Sequence, residues 1–255
     1  MRLKDKVSVV TGGAEGIGRE TAIRLAKEGS KVIVSDFNEE LGELTVRDIQ
    51  ESGGEARFFK ADVTSFEQVE ALVEFTVQTF GNIHVMFNNA GIGITKPFLD
   101  HSPEDYHKVV NVNQHGVYYG MLAAARKMKD LGTEGVIINN ASVFGFVGTL
   151  GITGYQAAKG AVVMLTKHGA LELAPHGIRV VGIGPAAVNT KIVQGYRDAG
   201  LLEYMKKQQL TRKLIEPEEI AAVTAFLATD EARSLNGSIV MADDGFASFK
   251  SDIRP

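Results

Sequence analysis

The chain has 255 residues, 44% hydrophobic and 23% charged, with a formal net charge of −4 and no cysteine. That length accommodates one α/β domain or two small ones; the missing cysteine excludes disulfides, thiolate metal sites and thiol nucleophiles and suits a reducing cytoplasm, the expected location. No apolar run reaches the roughly 18 residues of a membrane span, the polar start MRLKDKVSVV does not read as a signal peptide, and no basic cluster exceeds Lys206-Lys207, so the expected partner is a small molecule rather than nucleic acid or membrane.

In chain order, KVSVVT, KVIVSD, ARFFKAD, HVMFNNAG, GVIINNAS, IRVVGIG and SIVMADD are short Val- and Ile-rich runs that predict seven strands. The spacers Ile17 to Glu28, Glu39 to Ser52, Phe66 to Phe80, Ser102 to Leu131, Tyr155 to Leu173 and Pro217 to Ala228 are long enough for helices. Such alternation needs crossover connections, which build a parallel sheet with helices on both faces and explain strands apolar on both sides. The expected fold is therefore α/β, a single doubly wound, Rossmann-type domain over residues 1–255 around a seven-stranded parallel sheet, with 190–215 the longest stretch that breaks the rhythm.

Directly after the first strand stands TGGAEGIG, leading into the helix that begins near Ile17. Glycines at 12, 13, 16 and 18 let the backbone turn sharply and approach a pyrophosphate, while the helix aims its free N–H groups and positive end at the anion. The spacing is not Gly-x-Gly-x-x-Gly; its position between strand and helix supports the phosphate reading. Asp36 ends the second strand, where a dinucleotide site places the acid that binds the adenosine ribose. A 2′-phosphate there would meet like charge worth up to ~4 kcal/mol per unit charge. Glu15 adds negative charge, and residue 37 is Phe rather than an arginine. NAD is expected over NADP.

Tyr155 and Lys159, four apart, share one helix face. A phenol of pKa ~10 needs ~4 kcal/mol to be half ionised at pH 7, and a nearby ammonium supplies attraction of that order, so a lysine-lowered Tyr155 becomes a usable acid or base. Ser142 follows the fifth strand at the carboxyl edge of the sheet, where open α/β folds bind ligands. Asn113, in the β-branched and amide-rich VVNVNQHG, invites a local distortion of its helix.

These motifs, in this order, resemble the short-chain dehydrogenase/reductase family in its single-domain form, over nearly the whole chain. TGGAEGIG is similar to the family's glycine turn, Asp62-Val63 to its adenine-contacting pair, and NNAG at Asn88 to Gly91 to its fourth-strand signature; Asn113, Ser142 and Tyr155-x-x-x-Lys159 follow. The resemblance implies that Tyr155 transfers the proton, Ser142 hydrogen-bonds the reacting oxygen, Lys159 holds the nicotinamide ribose and lowers the tyrosine pKa, and Asn113 supports a water-linked proton path. It implies a cofactor site of Gly12, Glu15, Gly16, Ile17, Gly18, Asp36, Phe37, Asp62, Val63, Asn89, Ala90, Gly91, Tyr155, Lys159, Pro185, Val188 and Thr190. Two places depart from the family pattern. Gly182-Ile183-Gly184-Pro185-Ala186 lacks the usual asparagine and glycine, and Asp243-Asp244-Gly245 stands for Asp-Gly-Gly, a stretch expected to bear more on a subunit interface than on the chemistry.

The expected activity is an NAD(H)-dependent interconversion of a small, mainly apolar secondary alcohol and its ketone. Ser142, Phe144, Val147 and Tyr155 are the candidate substrate contacts, with Val143, Phe146, Ile92 and Ile94 nearby, and 190–215 resembles the family's substrate lid. The alternatives are a 3-oxoacyl-[acyl-carrier-protein] reductase, for which the central helices carry few basic residues, and a non-catalytic dinucleotide-binding sensor, against which Ser142, Tyr155 and Lys159 speak. Six scattered histidines without a His-x-x-x-His pair imply no metal. A homotetramer is expected from the resemblance.

Overall fold

The computed structural model describes residues 1–198 and 200–249. Seven parallel strands, β1 (Val7–Thr11), β2 (Lys31–Asp36), β3 (Ala56–Lys60), β4 (Val85–Asn88), β5 (Val136–Asn140), β6 (Arg179–Pro185) and β7 (Ile239–Ala242), form one sheet in the order β3-β2-β1-β4-β5-β6-β7. The seven expected strands and their parallel sense are thus present. The chain winds outward from β1 to β3, then returns to β4 on the other side of β1. This reversal opens a crevice at the carboxyl ends of β1 and β4.

Helices cover both faces: α1 (Gly16–Lys27), α2 (Glu39–Glu51) and α9 (Pro217–Leu227) on one, α3 (Phe66–Phe80), α5 (Gly116–Leu131) and α6 (Thr153–Leu173) on the other. Alternate strand residues feed the two layers. Val10, Val34, Phe87 and Ile138 pack against the first set of helices, and Val9, Ile33, Met86 and Ile137 against the second. Each such side chain, fully removed from water, contributes about 1.5–3 kcal/mol.

Several helix starts carry a side-chain cap. The Asn38 side chain accepts from Leu41 N ahead of α2, Ser65 accepts from Gln68 N ahead of α3, and Ser102 with Asp105 forms a capping box on α4 (Pro103–Val110). α1 differs, because Glu15 makes no side-chain cap bond. The spacer from Ser102 to Leu131 holds two α-helices joined through a π-helical turn, Asn111–His115, at the Asn113 stretch where a local distortion is expected. The Asn113 side chain explains the extra residue, since it donates to Ile92 O at 2.9 Å and accepts from Ile92 N at 2.8 Å, a pairing that draws the turn toward the loop after β4.

Beyond β6 the chain leaves the sheet through α7 (Gln194–Asp198) and α8 (Leu202–Lys207) and returns at Ile215; residue 199 lies outside the described residues. A parallel bridge pairs Val188 with Ile215 and closes the base of this excursion. Gln209, fully buried, accepts from Ala187 N at 2.9 Å and donates to the Lys213 carbonyl. Among the described residues no helix is long and apolar enough to cross a membrane.

Candidate active site

Gly12 has φ +63°, and a Cβ there would stand 2.8 Å from Ala90 Cα. At Gly18 a Cβ would lie 1.9 Å from Gly12 O, so α1 seats directly on the turn. The result is a bare backbone cradle. Gly16, Ile17 and Gly18 occupy the first turn of α1, whose N–H groups have no intrahelical partner and no cap. This uncapped, glycine-lined end fits a dinucleotide pyrophosphate.

Asp36 is fixed at the end of β2 by Ala14 N at 3.1 Å and Asn38 N at 3.0 Å. Phe37 beside it is 74% exposed, an apolar surface at the cradle's flank. Asp62 Oδ1 accepts from Thr64 N and Thr64 Oγ1 at 2.9 and 2.8 Å, and Val63 is buried where a Cβ on Gly116 would meet it at 2.8 Å. On the opposite side Thr190 Cγ2 would approach a Gly16 Cβ to 3.0 Å, and Lys191 pairs with the Glu15 carboxylate. Pro185, Val188 and Thr190 therefore bring the start of the 190–215 segment across the glycine turn.

Two Asn-Asn pairs, ending β4 and β5, tie the cradle to the catalytic candidates. Asn89 donates through Nδ2 to Thr11 O and Gly12 O at 3.0 and 3.1 Å, and its Oδ1 accepts from Asn140 Nδ2 at 2.9 Å. The Asn140 carbonyl accepts from Lys159 Nζ at 2.5 Å. Asn88 and Asn139, one residue back, face the other layer and bond each other at 2.9 Å. Asn140 went unnoticed among the sequence candidates; the repeated NN in HVMFNNAG and GVIINNAS was the available signal.

Lys159 is 3% exposed, and its Nζ lies 5.4 Å from the centre of the Tyr155 ring. Ser142 is buried, its Oγ accepts from Phe144 N at 3.2 Å, and its hydroxyl acts on the Tyr155 phenol to lower its pKa. Ser142, Tyr155 and Lys159 thus converge at the carboxyl edge of the sheet. The expected lysine-lowered phenol is not what this geometry gives. Burial pushes Tyr155 up to about 12 against the opposing hydrogen bond from Ser142, while burial pushes Lys159 down to about 8. Desolvation prevails because the ammonium is turned toward the Asn140 carbonyl rather than the phenolic oxygen. Asn113 is 0% exposed with both ends of its amide on Ile92. It holds the loop containing Ala90 and Gly91.

Phe144 packs edge-on to Phe246 at 5.6 Å between ring centres, and the Val147 carbonyl accepts from Gln156 Nε2 at 3.0 Å. The two departures from the family pattern have local reasons. A Cβ at Gly182 would meet Ile239 Cδ1 at 2.3 Å, so β6 lacks side chains where β7 leans over it. Asp244 Oδ2 accepts from Thr211 N at 2.8 Å and Thr211 Oγ1 at 2.6 Å, which anchors the far end of the 190–215 segment. A groove of about 1050 Å³ behind that segment is lined by Arg197, Lys206, Glu216 and Asp243 and includes none of Ser142, Tyr155 or Lys159.

A glycine turn at the sheet's switch point, beside a serine, a tyrosine and a buried lysine on one edge, is the arrangement of a short-chain oxidoreductase, and the chain belongs to the short-chain dehydrogenase/reductase family. Residues 12–247 match the family model described as enoyl-(acyl carrier protein) reductase. The chain is similar to cyclohexanol dehydrogenase of Acinetobacter sp. (strain SE19), 39% identical with 97% of each chain covered. It is also similar to 2,5-dichloro-2,5-cyclohexadiene-1,4-diol dehydrogenase of Sphingobium indicum, 39% identical over 96% of this chain and 98% of that one. A crystal structure of a short-chain type dehydrogenase/reductase from Mycobacterium marinum superposes with a TM-score of 0.94 at 30% identity, covering 97% of both chains. Enzymes of this kind use a nicotinamide dinucleotide.

Proposed function

We propose that this enzyme interconverts a cyclic secondary alcohol and its ketone with NAD(H), Tyr155 acting as the general acid and base. The observation that carries the reading is the meeting of Tyr155, Ser142 and buried Lys159 beside the glycine cradle. Relatives acting, by their names, on ring alcohols support the substrate class.

The bound nicotinamide supplies the hydride acceptor or donor. Gly16, Ile17 and Gly18 offer the pyrophosphate their backbone N–H groups, and Asp36 accepts from the adenosine ribose hydroxyls. Phe37 rather than an arginine follows Asp36, so a 2′-phosphate would meet the carboxylate without a cation next in the chain, which favours NAD over NADP. Asp62 and Val63 flank the adenine, and Asn89, Ala90, Gly91, Pro185, Val188 and Thr190 line the nicotinamide half.

In ketone reduction Tyr155 begins protonated, as a phenol pushed up to about 12 must at neutral pH, and gives its proton to the carbonyl oxygen. Ser142 donates a second hydrogen bond to that oxygen as charge develops on it. Lys159 binds the nicotinamide ribose and, once drawn toward the phenol, steadies the phenolate left behind. Alcohol oxidation reverses these proton movements. The 190–215 segment covers the substrate, with Phe144 and Val147 on its apolar wall. We read the assembly as a cytoplasmic homotetramer.

The test follows nicotinamide absorbance with NADH and NADPH against cyclic ketones, acyclic diketones, sugars and 3-oxoacyl thioesters. Cyclic ketones with NADH should be turned over fastest, and Tyr155→Phe should cut that turnover by about 10²–10⁴-fold while leaving NADH binding within a few fold. Wild-type rates in the variant would remove Tyr155 from proton transfer.

A further inference from the structure

Tyr196 stands on α7, and its hydroxyl is shut off from solvent without a hydrogen-bond partner among the described residues. An unpaired buried hydroxyl is unfavourable, and phenylalanine would fill the same space without it. Its stretch of backbone is not loosely placed. A Cβ on neighbouring Gly195 would lie 3.2 Å from Thr95 Oγ1, Val193 is 5% exposed, and Leu201 N donates to the Tyr196 carbonyl at 2.8 Å. The loop carrying Thr95 also runs to the head of α6: a Cβ on Gly151, four residues before Tyr155, would meet Thr95 Cγ2 at 3.4 Å, and one on Gly93 would meet Ile192 at 3.9 Å. Tyr196 therefore overhangs the chamber that Ser142 and Tyr155 enter from the sheet.

Resting on the function proposed above, we infer that Tyr196 sets specificity: its hydroxyl donates to a second oxygen on the substrate ring, so the site prefers a dioxygenated ring, a cyclic diol or hydroxyketone, over the mono-alcohol. Ser142 and Tyr155 are both committed to the reacting oxygen. Phe144 and Val147 offer the remainder of the ring no side-chain donor. A mono-alcohol closes the chamber on an unpaired phenol, whereas a second oxygen pairs it. A buried donor left unmatched discriminates more steeply than apolar fit does.

The experiment compares wild type and Tyr196→Phe on cyclohexanol and on the 1,2-, 1,3- and 1,4-cyclohexanediols in two ways. Turnover is measured with NAD⁺, and binding by calorimetry with NADH present, where no alcohol can be oxidised. Tyr196→Phe should lower kcat/KM for the preferred diol by about tenfold or more, mainly through KM, and leave cyclohexanol unchanged or improved. Binding of that diol should weaken by a similar factor. An equal loss on diol and mono-alcohol, or no loss on any diol, overturns the role of Tyr196. If wild type oxidises none of these alcohols yet binds a diol in a Tyr196-dependent way, the redox reading fails and the specificity residue stands. If wild type binds none, both fail.

Discussion

Lys159 is a charge placed where water scarcely reaches, 3% exposed, with no carboxylate partner among the described residues. Burial pushes it down to about 8 from 10.5, so the native protein releases a proton that the unfolded chain still holds between those values. Stability then rises with pH across this window, and the contribution is lost as pH falls through about 8. The size is on the order of 3 kcal/mol. Lys159→Met should therefore be more stable than wild type at pH 7, with the gap closing between pH 8 and 10, below the range where the Tyr155 phenol begins to contribute. Urea denaturation of both proteins across that range checks it, and a gap independent of pH would refute it. Ser142, Tyr155 and Lys159 are readable in the sequence because spacing and position at a strand end put them near one edge. The direction of the Tyr155 shift was not, because it depends on where the ammonium points and how much water remains. Asn140 is signalled only by the repeated NN and Tyr196 not at all, since one acts partly through a backbone carbonyl and the other through a missing partner.

At the level of elements, the junction of β1 with α1 is the tightest part of the cradle. A methyl at Gly18 would meet the Gly12 backbone carbonyl at 1.9 Å and Asn89 Nδ2 at 2.6 Å, and the backbone atom cannot yield as a flexible side chain could. Gly18→Ala should cost at least about 1–3 kcal/mol and weaken NADH binding by about tenfold or more, whereas Gly148→Ala, with nothing within 4 Å, should do neither. Denaturant midpoints and cofactor titrations of the two variants decide this; equal behaviour would show that the cradle can spread. The seven strands were legible because a sheet covered on both faces writes continuous Val and Ile runs. The stretch from Ser102 to Leu131 was only half legible. Its apolar period survives the π turn, and the cause of that turn, Asn113 bonded to the Ile92 backbone, is a contact between residues 21 positions apart.

Over the whole molecule, the outer face of α6 is conspicuously dry. Ala157, Met164 and Leu171 follow one another at two-turn spacing, Met164 61% and Leu171 77% exposed, with Tyr118 of α5 45% exposed nearby. Exposed apolar side chains at this spacing, interrupted by the His168–Glu172 pair, are what a second copy of the same helix pair would cover. Sedimentation should give a mass that is a multiple of 27.5 kDa, and Met164→Glu with Leu171→Glu should lower it; a wild-type mass of one subunit would contradict the assembly. A different consequence follows from the Val188–Ile215 bridge. The chain departs from and rejoins the sheet beside the same bridge, and its further ties, Gln209 to Ala187 and Thr211 to Asp244, sit near that base, so the strands themselves set little of what lies between. Lengthening such an excursion costs little, about 0.6 kcal/mol for each doubling. Mutation can therefore rewrite this excursion as an exchangeable cassette while the sheet edge bearing Ser142, Tyr155 and Lys159 is inherited unchanged.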